Sequence, residues 1–130
     1  MNLKIALLGG DGICPEVLAQ SIKCLKAVEE TFNHRFTYSE APFGAVAISN
    51  TGNPLPEETL KLCKASDAIL FGAIGALEYD YDPEAVVRPE QGLLKLRKEL
   101  GLFANIRPVK VFPALVKQSP LSKKVVKNTD

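Results

Sequence analysis

The chain opens with a short apolar run that leads through a glycine-rich turn into the start of a helix. Residues 3–8 are almost all apolar, and the turn 9–12 that follows them reads Gly-Gly-Asp-Gly. An apolar run of this length bounded by glycines is typical of a strand that is covered on both faces. Pro15 then stands where proline is tolerated, in the first turn of a helix. This order of strand, turn and helix predicts an α/β fold.

The rest of the chain continues the alternation of strands and helices. Because of this alternation we expect a mainly parallel sheet flanked by helices. The predicted strands cover 3–8, 35–40 and 67–73, and the predicted helices cover 15–31, 44–50, 56–66 and 90–100, with Gly101 as the C-cap of the last helix. The other predicted segments are a long loop at 75–89, an extended stretch at 103–111, and a loop after Pro113 that ends in a short helix from Ser122.

Composition and charge place the chain among ordinary globular proteins. Apolar residues make up 46% of the chain and charged residues 24%, and the formal net charge is +1. Proteins that bind nucleic acids or membrane surfaces carry a strong basic excess, so we expect neither kind of partner. Lys123, Lys124 and Lys127 form a basic cluster that is typical of a solvated helix face. No apolar run approaches the roughly 20 residues that a membrane-spanning helix needs.

The cysteines indicate a reducing compartment. There are three of them, Cys14, Cys24 and Cys63, and no two are spaced as a CxxC pair. An odd number without such a pair argues against a disulfide framework or a zinc site. Cys24 and Cys63 lie among apolar helix positions and are predicted to be small core residues. The first residues lack the order of a signal peptide, so we expect a cytoplasmic protein.

The turn at 9–12 is the first candidate for ligand binding. Its glycines allow tight backbone angles and close approach of a ligand, and the helix start that follows offers free N–H groups to an anion. However, Pro15 stands where the dinucleotide-binding fingerprint requires a third glycine, and no P-loop lysine follows. From the residues alone, this segment is either a plain tight turn or a ligand-binding loop.

The last long predicted helix carries the second candidate. Glu90, Leu93, Leu94 and Arg97 are spaced i, i+3, i+4 and i+7, so they share one face of the helix. Arg97 could clamp a carboxylate while the leucines form a pocket for an aliphatic tail. Alternatively, the helix is simply amphipathic and Arg97 snorkels to solvent. Arg107, in the extended stretch that follows, could reach the same carboxylate or be an ordinary surface residue.

Five motifs in a fixed order carry a resemblance to a known family. They are Gly-Asp-Gly-Ile-Cys-Pro-Glu at 10–16, Thr-Gly-Asn-Pro-Leu-Pro at 51–56, Phe-Gly-Ala-Ile-Gly at 71–75, Arg-Pro-Glu-Gln-Gly-Leu-Leu at 88–94 and Asn-Ile-Arg-Pro at 105–108. Each motif is weak by itself, but the set is specific. Together they resemble the isocitrate and isopropylmalate dehydrogenases, a family of β-decarboxylating dehydrogenases. The resemblance covers essentially all 130 residues.

The resemblance implies a two-domain α/β fold that differs from the standard Rossmann fold, in agreement with the missing third glycine. In this family the first domain is built from both ends of the chain, and the second domain is inserted between them and carries the dimer contact. On that pattern, residues 1–102 are the N-terminal part of the first domain and residues 103–130 begin the second. We therefore expect an incomplete fold here and a homodimer in the full-length protein.

The resemblance also assigns roles to individual residues. It implies that Arg97 and Arg107 hold the carboxylates of a malate moiety, and that Leu93 and Leu94 form the pocket for an isopropyl group. Family members that use isocitrate carry polar residues on this face. The leucines therefore favour 3-isopropylmalate, since an apolar pocket penalises an unpaired third carboxylate. The residues implied in cofactor binding are Ile13, Ala76, Leu77, Glu78, Tyr79, Arg88, Pro89 and Glu90, of which Glu90 also lies near the substrate tail.

The implied activity is oxidation of 3-isopropylmalate by NAD, followed by decarboxylation with Mg²⁺ or Mn²⁺, in leucine biosynthesis. The catalytic tyrosine and lysine of the family and its metal-binding aspartates are expected beyond residue 130. We therefore expect no catalytic residue and no metal ligand in this chain, and no activity from it alone. Two alternatives stay open: a non-catalytic remnant that binds a small ligand, and an enzyme that acts on tartrate, malate or homoisocitrate.

Two departures from the family pattern bear on the cofactor site. Cys14 stands where the family has a glycine. If the backbone needs a positive φ at this position, the cysteine costs about 1 kcal/mol and displaces Ile13. The segment 75–79 reads Gly-Ala-Leu-Glu-Tyr in place of the family's Gly-Gly-Pro-Lys-Trp. The cofactor loop therefore lacks a lysine and a proline that its relatives have.

Overall fold

A parallel sheet forms the centre of the molecule. The computed structural model describes residues 1–126, and its strands pair in the order β2-β1-β3. In the central strand, Ile5 lies opposite Tyr38 on one side and Ala68 on the other. The α/β class and the parallel sheet are therefore confirmed. The strands are β1 (Asn2–Leu8), β2 (Arg35–Glu40) and β3 (Ala68–Phe71), the last of which is shorter than the predicted strand at 67–73.

Helices cover both faces of this sheet. Within residues 1–126 they are α1 (Cys14–Phe32), α2 (Ala45–Thr51), α3 (Glu57–Lys64), α4 (Leu77–Asp80), α5 (Pro89–Glu99), a 3₁₀ helix (Pro113–Gln118) and α6 (Lys123–Val126). Helices α1, α2, α3 and α5 lie within two residues of their predicted bounds, and α6 confirms the short helix predicted near Ser122. The loops predicted at 75–89 and after Pro113 are wrong in part, because α4 and the 3₁₀ helix lie in them. Such short helices are not long enough to show a hydrophobic period. Lys127 lies outside the described residues.

Alternate residues of β1 face two separate apolar clusters. Ile5 and Leu7 pack with Leu18 of α1 on one face. Ala6 and Leu8 face the other side, where the buried residues are Phe43, Leu55, Leu60, Cys63 and Leu96. Because β1 is buried on both faces, it reads as a continuous apolar run, as a central strand of a parallel sheet does. The two crossovers, through α1 and through α2–α3, lie on opposite faces of the sheet, which is doubly wound.

The cysteine predictions have different outcomes. Cys63 of α3 is buried, as predicted, whereas the prediction that Cys24 is a core residue is wrong because its side chain is exposed. Helix α1 faces the sheet with Leu18, Ile22 and Leu25. At about 100° per residue, Cys24 lies on the opposite side of the helix from Ile22. Its apolar neighbours in sequence are therefore not its neighbours in space.

Helix α5 ends in a Schellman motif, in which two backbone bonds close the last turn. Gly101 has a φ of +64°. Its N–H donates to the Lys98 carbonyl at 3.1 Å, and the N–H of Leu102 donates to the Arg97 carbonyl at 2.9 Å. A glycine is favoured here because the left-handed conformation is strained for residues with a side chain. The predicted cap at Gly101 is confirmed, and it fixes where the chain leaves the helix.

Beyond α5 the chain runs along the surface. Residues 102–112 contain no helix or strand, and all of them except Val111 are exposed. The extended stretch predicted at 103–111 agrees with this, and the start of a second domain at 103 stays a prediction. None of the helices formed by residues 1–126 combines the length and the apolar character needed to cross a membrane.

Candidate functional site

The carboxyl ends of β1 and β3 lie side by side, and the loops that follow them are in close contact. The Asp11 N–H donates to the Ala73 carbonyl at 2.9 Å. Gly10 has a φ of +73°, and a Cβ at this position would overlap the Ala73 carbonyl oxygen. A Cβ at Gly72 would likewise overlap the Gly9 carbonyl oxygen. In doubly wound sheets, ligands bind in the crevice at the carboxyl edge where the strand order reverses, and this is such an edge.

Asp11 is the residue at this edge that the sequence analysis did not single out. It is 4% exposed. Its Oδ2 accepts the N–H groups of Ala45 at 2.9 Å and Gly75 at 3.0 Å, and its Oδ1 accepts that of Val46 at 3.0 Å. Asp11 thereby caps α2, whose own N-cap residue, Gly44, has no side chain to do so. That missing local cap was the one available signal, because it implied a capping group from elsewhere in the chain.

A groove of about 330 Å³ opens between the three segments that Asp11 connects. Its lining contains no lysine or arginine, and Glu78 contributes a carboxylate. Next to Gly12, the Ile13 side chain is 67% exposed. Two of the predicted cofactor residues, Ala76 and Glu78, thus face the groove. The lining residues are Asp11, Gly12, Ala45, Val46, Ser49, Asn50, Ala76 and Glu78.

The expected strain at Cys14 does not arise. Positive φ values in the first turn fall on Gly10 (+73°) and Gly12 (+60°). Cys14 is the first residue of α1, and Asn33 is the only non-glycine residue within 1–126 that has a positive φ. Position 14 therefore carries no backbone cost, and Ile13 keeps an ordinary φ of −77°.

Arg88 organises the loop between α4 and α5. Its guanidinium donates to the backbone carbonyls of Tyr79 and Asp82, each at 2.6 Å. The backbone N–H of Arg88 in turn donates to the Gln91 side chain, which closes the start of α5. Arg88, just before α5, is thus bonded to Tyr79 of α4. The predicted cofactor role of both residues stays a prediction.

The other predicted cofactor residues of this loop differ in their accessibility. Leu77 is 68% exposed and does not line the groove, whereas Pro89, the first residue of α5, is fully buried. Glu90 follows Pro89 and is exposed, with its Oε1 3.6 Å from where a Cβ on Gly75 would lie. The Glu90 carboxylate therefore lies close to the loop at the carboxyl end of β3.

Glu90, Leu93, Leu94 and Arg97 lie along one face of α5 and form the α5 stripe. Its two leucines have different surroundings. Leu93 is half-buried and packs against the core that contains Leu96. Leu94 is 67% exposed. Arg97 is half-buried, and its guanidinium makes no hydrogen bond or ion pair with any residue in 1–126. An apolar side chain and an unpaired cation are therefore available on the same face of one helix.

Arg107 lies apart from this stripe in the described contacts. It belongs to the exposed segment 102–112, and its Nε donates to the Asn105 side chain at 3.3 Å. No hydrogen bond or ion pair within residues 1–126 connects it to α5. The convergence of Arg107 and Arg97 on one carboxylate stays a prediction.

Perturbed titratable groups lie outside the groove. Burial raises the pKa of the Cys63 thiol. Burial, together with a hydrogen bond to Glu29, raises the pKa of Tyr38. A hydrogen bond from Lys64 lowers the pKa of Glu99. Among residues 1–126, no three His, Cys, Asp or Glu side chains come together in a way that could hold a metal ion.

A larger groove of about 430 Å³ lies at the carboxyl ends of β1 and β2. Its walls are mainly apolar and include Pro15 and Phe43, with Glu40 as the charged member. None of the predicted substrate or cofactor residues lines it. The smaller groove beside Asp11 is therefore the one that brings predicted site residues together.

Comparison with known proteins agrees with this architecture. The sequence profile of the isocitrate/isopropylmalate dehydrogenase family matches residues 4–130. The chain is 53% identical over 130 residues to a 3-isopropylmalate dehydrogenase of Bacteroides fragilis and covers 37% of that protein. It is 54% identical over 127 residues, or 98% of the chain, to a 3-isopropylmalate dehydrogenase of Aquifex aeolicus, of which it covers 35%.

A solved structure supports the same relationship. The fold matches the apo form of a β-decarboxylating dehydrogenase from Thermococcus kodakarensis with a TM-score of 0.55 and 38% identity. The match covers 77% of this chain and 27% of that one. The chain spans little more than a third of the length of the curated relatives, since it covers 37% and 35% of them. From the profile match, the identities and the shared fold, this chain belongs to the isocitrate/isopropylmalate dehydrogenase family.

Proposed function

We propose that the protein carrying this chain oxidises 3-isopropylmalate at its hydroxyl carbon with NAD and releases CO₂, as a step of leucine biosynthesis. In this proposal the chain supplies substrate recognition and the nicotinamide end of the cofactor site. The observation that carries it is the pairing of the exposed Leu94 with the unpartnered guanidinium of Arg97 on one face of α5. The relatives named 3-isopropylmalate dehydrogenase support it further.

The pairing on α5 matches the chemistry of this substrate. A guanidinium binds a carboxylate through two parallel hydrogen bonds, and Arg97 has no competing partner within residues 1–126. Leu94, three residues before it, offers apolar surface to an aliphatic tail. A third carboxylate, as in isocitrate, would lose its hydration there without gaining a partner. Arg107 is proposed as the second carboxylate ligand and Leu93 as the second wall of the apolar pocket.

The groove beside Asp11 fits one end of NAD. Its lining has no cation for the two phosphates, whereas Glu78 is favourable for the cationic nicotinamide ring of oxidised NAD. The exposed Ile13 provides an apolar surface for a flat ring, and Glu90 lies near Gly75 at the same edge. When bound, NAD would supply the acceptor for the hydride that leaves the hydroxyl carbon. The residues of this chain orient the two reactants.

Several features of the whole protein are proposed from the family resemblance. They are the divalent cation, Mg²⁺ or Mn²⁺, and the homodimer. The cytoplasmic location is proposed from the cysteines, which indicate a reducing compartment. Among residues 1–126, no three His, Cys, Asp or Glu side chains come together as a ligand set, and the ligands of the cation are proposed to lie beyond residue 130. We also propose that the chain alone is inactive, because the groove and the α5 stripe offer substrate and cofactor only part of a site.

The first experiment compares substrates. The full-length protein is assayed with NAD and 3-isopropylmalate, isocitrate, malate, tartrate or homoisocitrate. We expect 3-isopropylmalate to be preferred by kcat/KM. The Leu94→Gln variant should lose about tenfold of that preference, which is what a polar group in an apolar pocket costs.

The matched control is Leu121→Gln, because Leu121 is 61% exposed and lies outside α5. It should leave the preference unchanged. A wild-type protein that prefers another acid, or a Leu94→Gln variant with unchanged preference, would refute the assignment of 3-isopropylmalate. The chain alone is tested by calorimetry with 3-isopropylmalate and NAD, where we expect no measurable binding. Micromolar affinity would contradict the proposed inactivity of the chain.

A further inference from the structure

We propose that Asp11 is a positioning residue for the nicotinamide end of the cofactor site: its carboxylate fixes the loop 74–78 against the first turn and against α2. Because this role assumes the NAD groove of the proposed function, its test includes a measurement that does not depend on NAD. Asp11 is one of the lining residues of the groove, but both of its carboxylate oxygens are already bonded to backbone N–H groups.

All three walls of the groove meet at this carboxylate. The first wall is the turn that contains Asp11 and Gly12. The second is the start of α2, whose Ala45 and Val46 donate to Asp11 and also line the groove. The third is the loop after β3, in which Gly75 donates to Asp11 and the next residue, Ala76, lines the groove. A change at Asp11 therefore alters the spacing of all three walls at once.

The third wall depends on Asp11 more than the others do. Within residues 1–126, the bond from the Gly75 N–H to Asp11 is the only hydrogen bond that connects the backbone of residues 74–78 to another segment. The remaining backbone bonds of this stretch are local, such as those that the Ala76 carbonyl accepts from Tyr79 and Asp80. Without the bond from Gly75, the backbone of residues 74–78 keeps no hydrogen bond to another segment within residues 1–126, and Ile74 is held by its packing against the core.

The arrangement requires a carboxylate in particular. Three N–H groups converge on two oxygens, and an amide of the same shape has only one oxygen to offer. In Asp11→Asn, the NH₂ group must face at least one of the three donors. The surroundings leave little room for adjustment, because a Cβ at Gly44 would meet both Asp11 Oδ2 and the Ile74 side chain. Asn can still accept from Ala45 and Gly75 by placing its oxygen where Oδ2 lies, but its NH₂ group then faces the Val46 N–H, and the two remaining bonds lose the charge of the acceptor.

Asp67 provides the matched control. Its Oδ2 accepts the Lys4 N–H at 2.7 Å, so it is also a carboxylate bonded to the backbone. It lies just before β3, at the amino-terminal edge of the sheet and away from the groove. Asp67→Asn likewise replaces a backbone-bonded carboxylate by an amide, but at the opposite edge of the sheet. An effect confined to Asp11→Asn is therefore an effect of position, not of a lost carboxylate in general.

Amide hydrogen exchange in the full-length protein tests the positioning directly. In the wild type the Gly75 amide should be protected, as a donor to a buried carboxylate is. In Asp11→Asn the Gly75 amide should exchange about tenfold faster or more, because its bond to a carboxylate is lost or becomes a weaker bond to a neutral amide. Amides of β2 should keep their rates, and Asp67→Asn should leave 74–78 unchanged. An unprotected Gly75 amide in the wild type would overturn the inference even where the variant fails to fold.

Steady-state kinetics test the consequence for the cofactor. In Asp11→Asn the KM for NAD should rise about tenfold, while the KM for 3-isopropylmalate changes less than about twofold, because α5 is not bonded to Asp11. Asp67→Asn should change neither constant. Equal changes in both constants would make Asp11 a purely structural residue and contradict the positioning role. A wild type that neither binds NAD nor oxidises 3-isopropylmalate would refute the proposed function instead, and the exchange rates would still decide the role of Asp11.

Discussion

The two sides of the candidate site are built differently. On the cofactor side, the turn, the start of α2 and the loop after β3 are held by backbone contacts and by the buried Asp11 carboxylate. On the substrate side, Leu94 is 67% exposed, and the Arg97 guanidinium has no partner within residues 1–126. Arg107 lies on an exposed segment with a single side-chain bond to Asn105. The cofactor side is therefore preorganised by contacts within this chain, whereas the substrate side presents exposed or unpaired side chains.

This difference separates two ways in which a substitution can act. Changes on the cofactor side should lower stability, because the residues there are packed against backbone. Changes at the exposed Leu94 and the unpaired Arg97 on the substrate side should lower activity and leave stability almost unchanged, because these side chains have few contacts to lose. This separation can be tested with pairs of nearby residues that differ in crowding, in exposure or in having a partner.

The largest effect is expected at Gly10. In Gly10→Ala the new Cβ would overlap the Ala73 carbonyl and the residue would keep a φ of +73°, so the free energy of unfolding should fall by about 3 kcal/mol or more. Gly12 is the control, since its φ is +60° and a Cβ there meets nothing within 4 Å. Gly12→Ala should cost only about 1 kcal/mol, the strain of the left-handed backbone. Urea unfolding measures both. Equal losses would mean that the close contact between the two loops does not exist.

The next largest effect is expected at Arg97. Arg97→Gln should lower kcat/KM for 3-isopropylmalate about 100-fold, because the charged bidentate bond to a carboxylate is lost. The melting temperature should stay within about 2 °C of the wild type, since no partner is left behind. Lys98→Gln, next to it on the exposed side of α5, is the control and should change neither quantity. A large fall in the melting temperature of Arg97→Gln would show that Arg97 is already engaged in the free protein.

Local patterns predicted the elements of the fold but not the contacts between them. The strands, the four longer helices and the Gly101 cap follow from apolar period and from turn chemistry within a few residues. The bonds of Asp11 join residues that are 34, 35 and 64 positions apart, and no local pattern reports such contacts. Asp11 was therefore visible in the sequence only as part of a turn.

The stripe on α5 shows the same limit within a single helix. Spacing correctly placed Glu90, Leu93, Leu94 and Arg97 on one face of the helix. Spacing could not predict which of these residues contact the core, because this depends on how α5 is rotated and packed against its neighbours. The seating is set partly at Gly92, where a Cβ would come within 2.9 Å of Pro54. Cys24 was wrongly assigned to the core for the same reason.

The third prediction compares Leu93 and Leu94, which are neighbours in sequence but differ in burial. Leu93→Ala should lower the free energy of unfolding by about 1–2 kcal/mol, because a half-buried leucine loses part of its packing. Leu94→Ala should stay within about 0.5 kcal/mol of the wild type, since its side chain is 67% exposed. Urea unfolding of both variants gives the comparison. If Leu94→Ala proved the more destabilising, α5 would have to face the core with Leu94 instead of Leu93.

The smallest effect is expected at the ion pair that connects α3 to α5. Lys64 Nζ lies 2.7 Å from Glu99 Oε2, and this bond holds the pKa of Glu99 below its usual range. Lys95 and Lys98 lower that pKa further to a smaller extent. The contribution of the pair to stability is therefore present above the ordinary glutamate pKa of about 4.3, and it is lost as pH falls through the lower value of the folded state.

Substitution of Lys64 tests this pair without touching the substrate stripe. Lys64→Met should raise the pKa of Glu99 towards its usual value, as followed by NMR titration of the carboxyl carbon. Because both side chains are substantially exposed, at 47% and 38%, the change in melting temperature should be small and should shrink further in high salt. Lys61→Met, on the same helix, should leave Glu99 unchanged. The pair connects α3 to α5 two residues after Arg97, so an unchanged kcat/KM in Lys64→Met would show that α5 is positioned by its apolar packing. A lower kcat/KM would show instead that the substrate side also depends on a contact made within this chain.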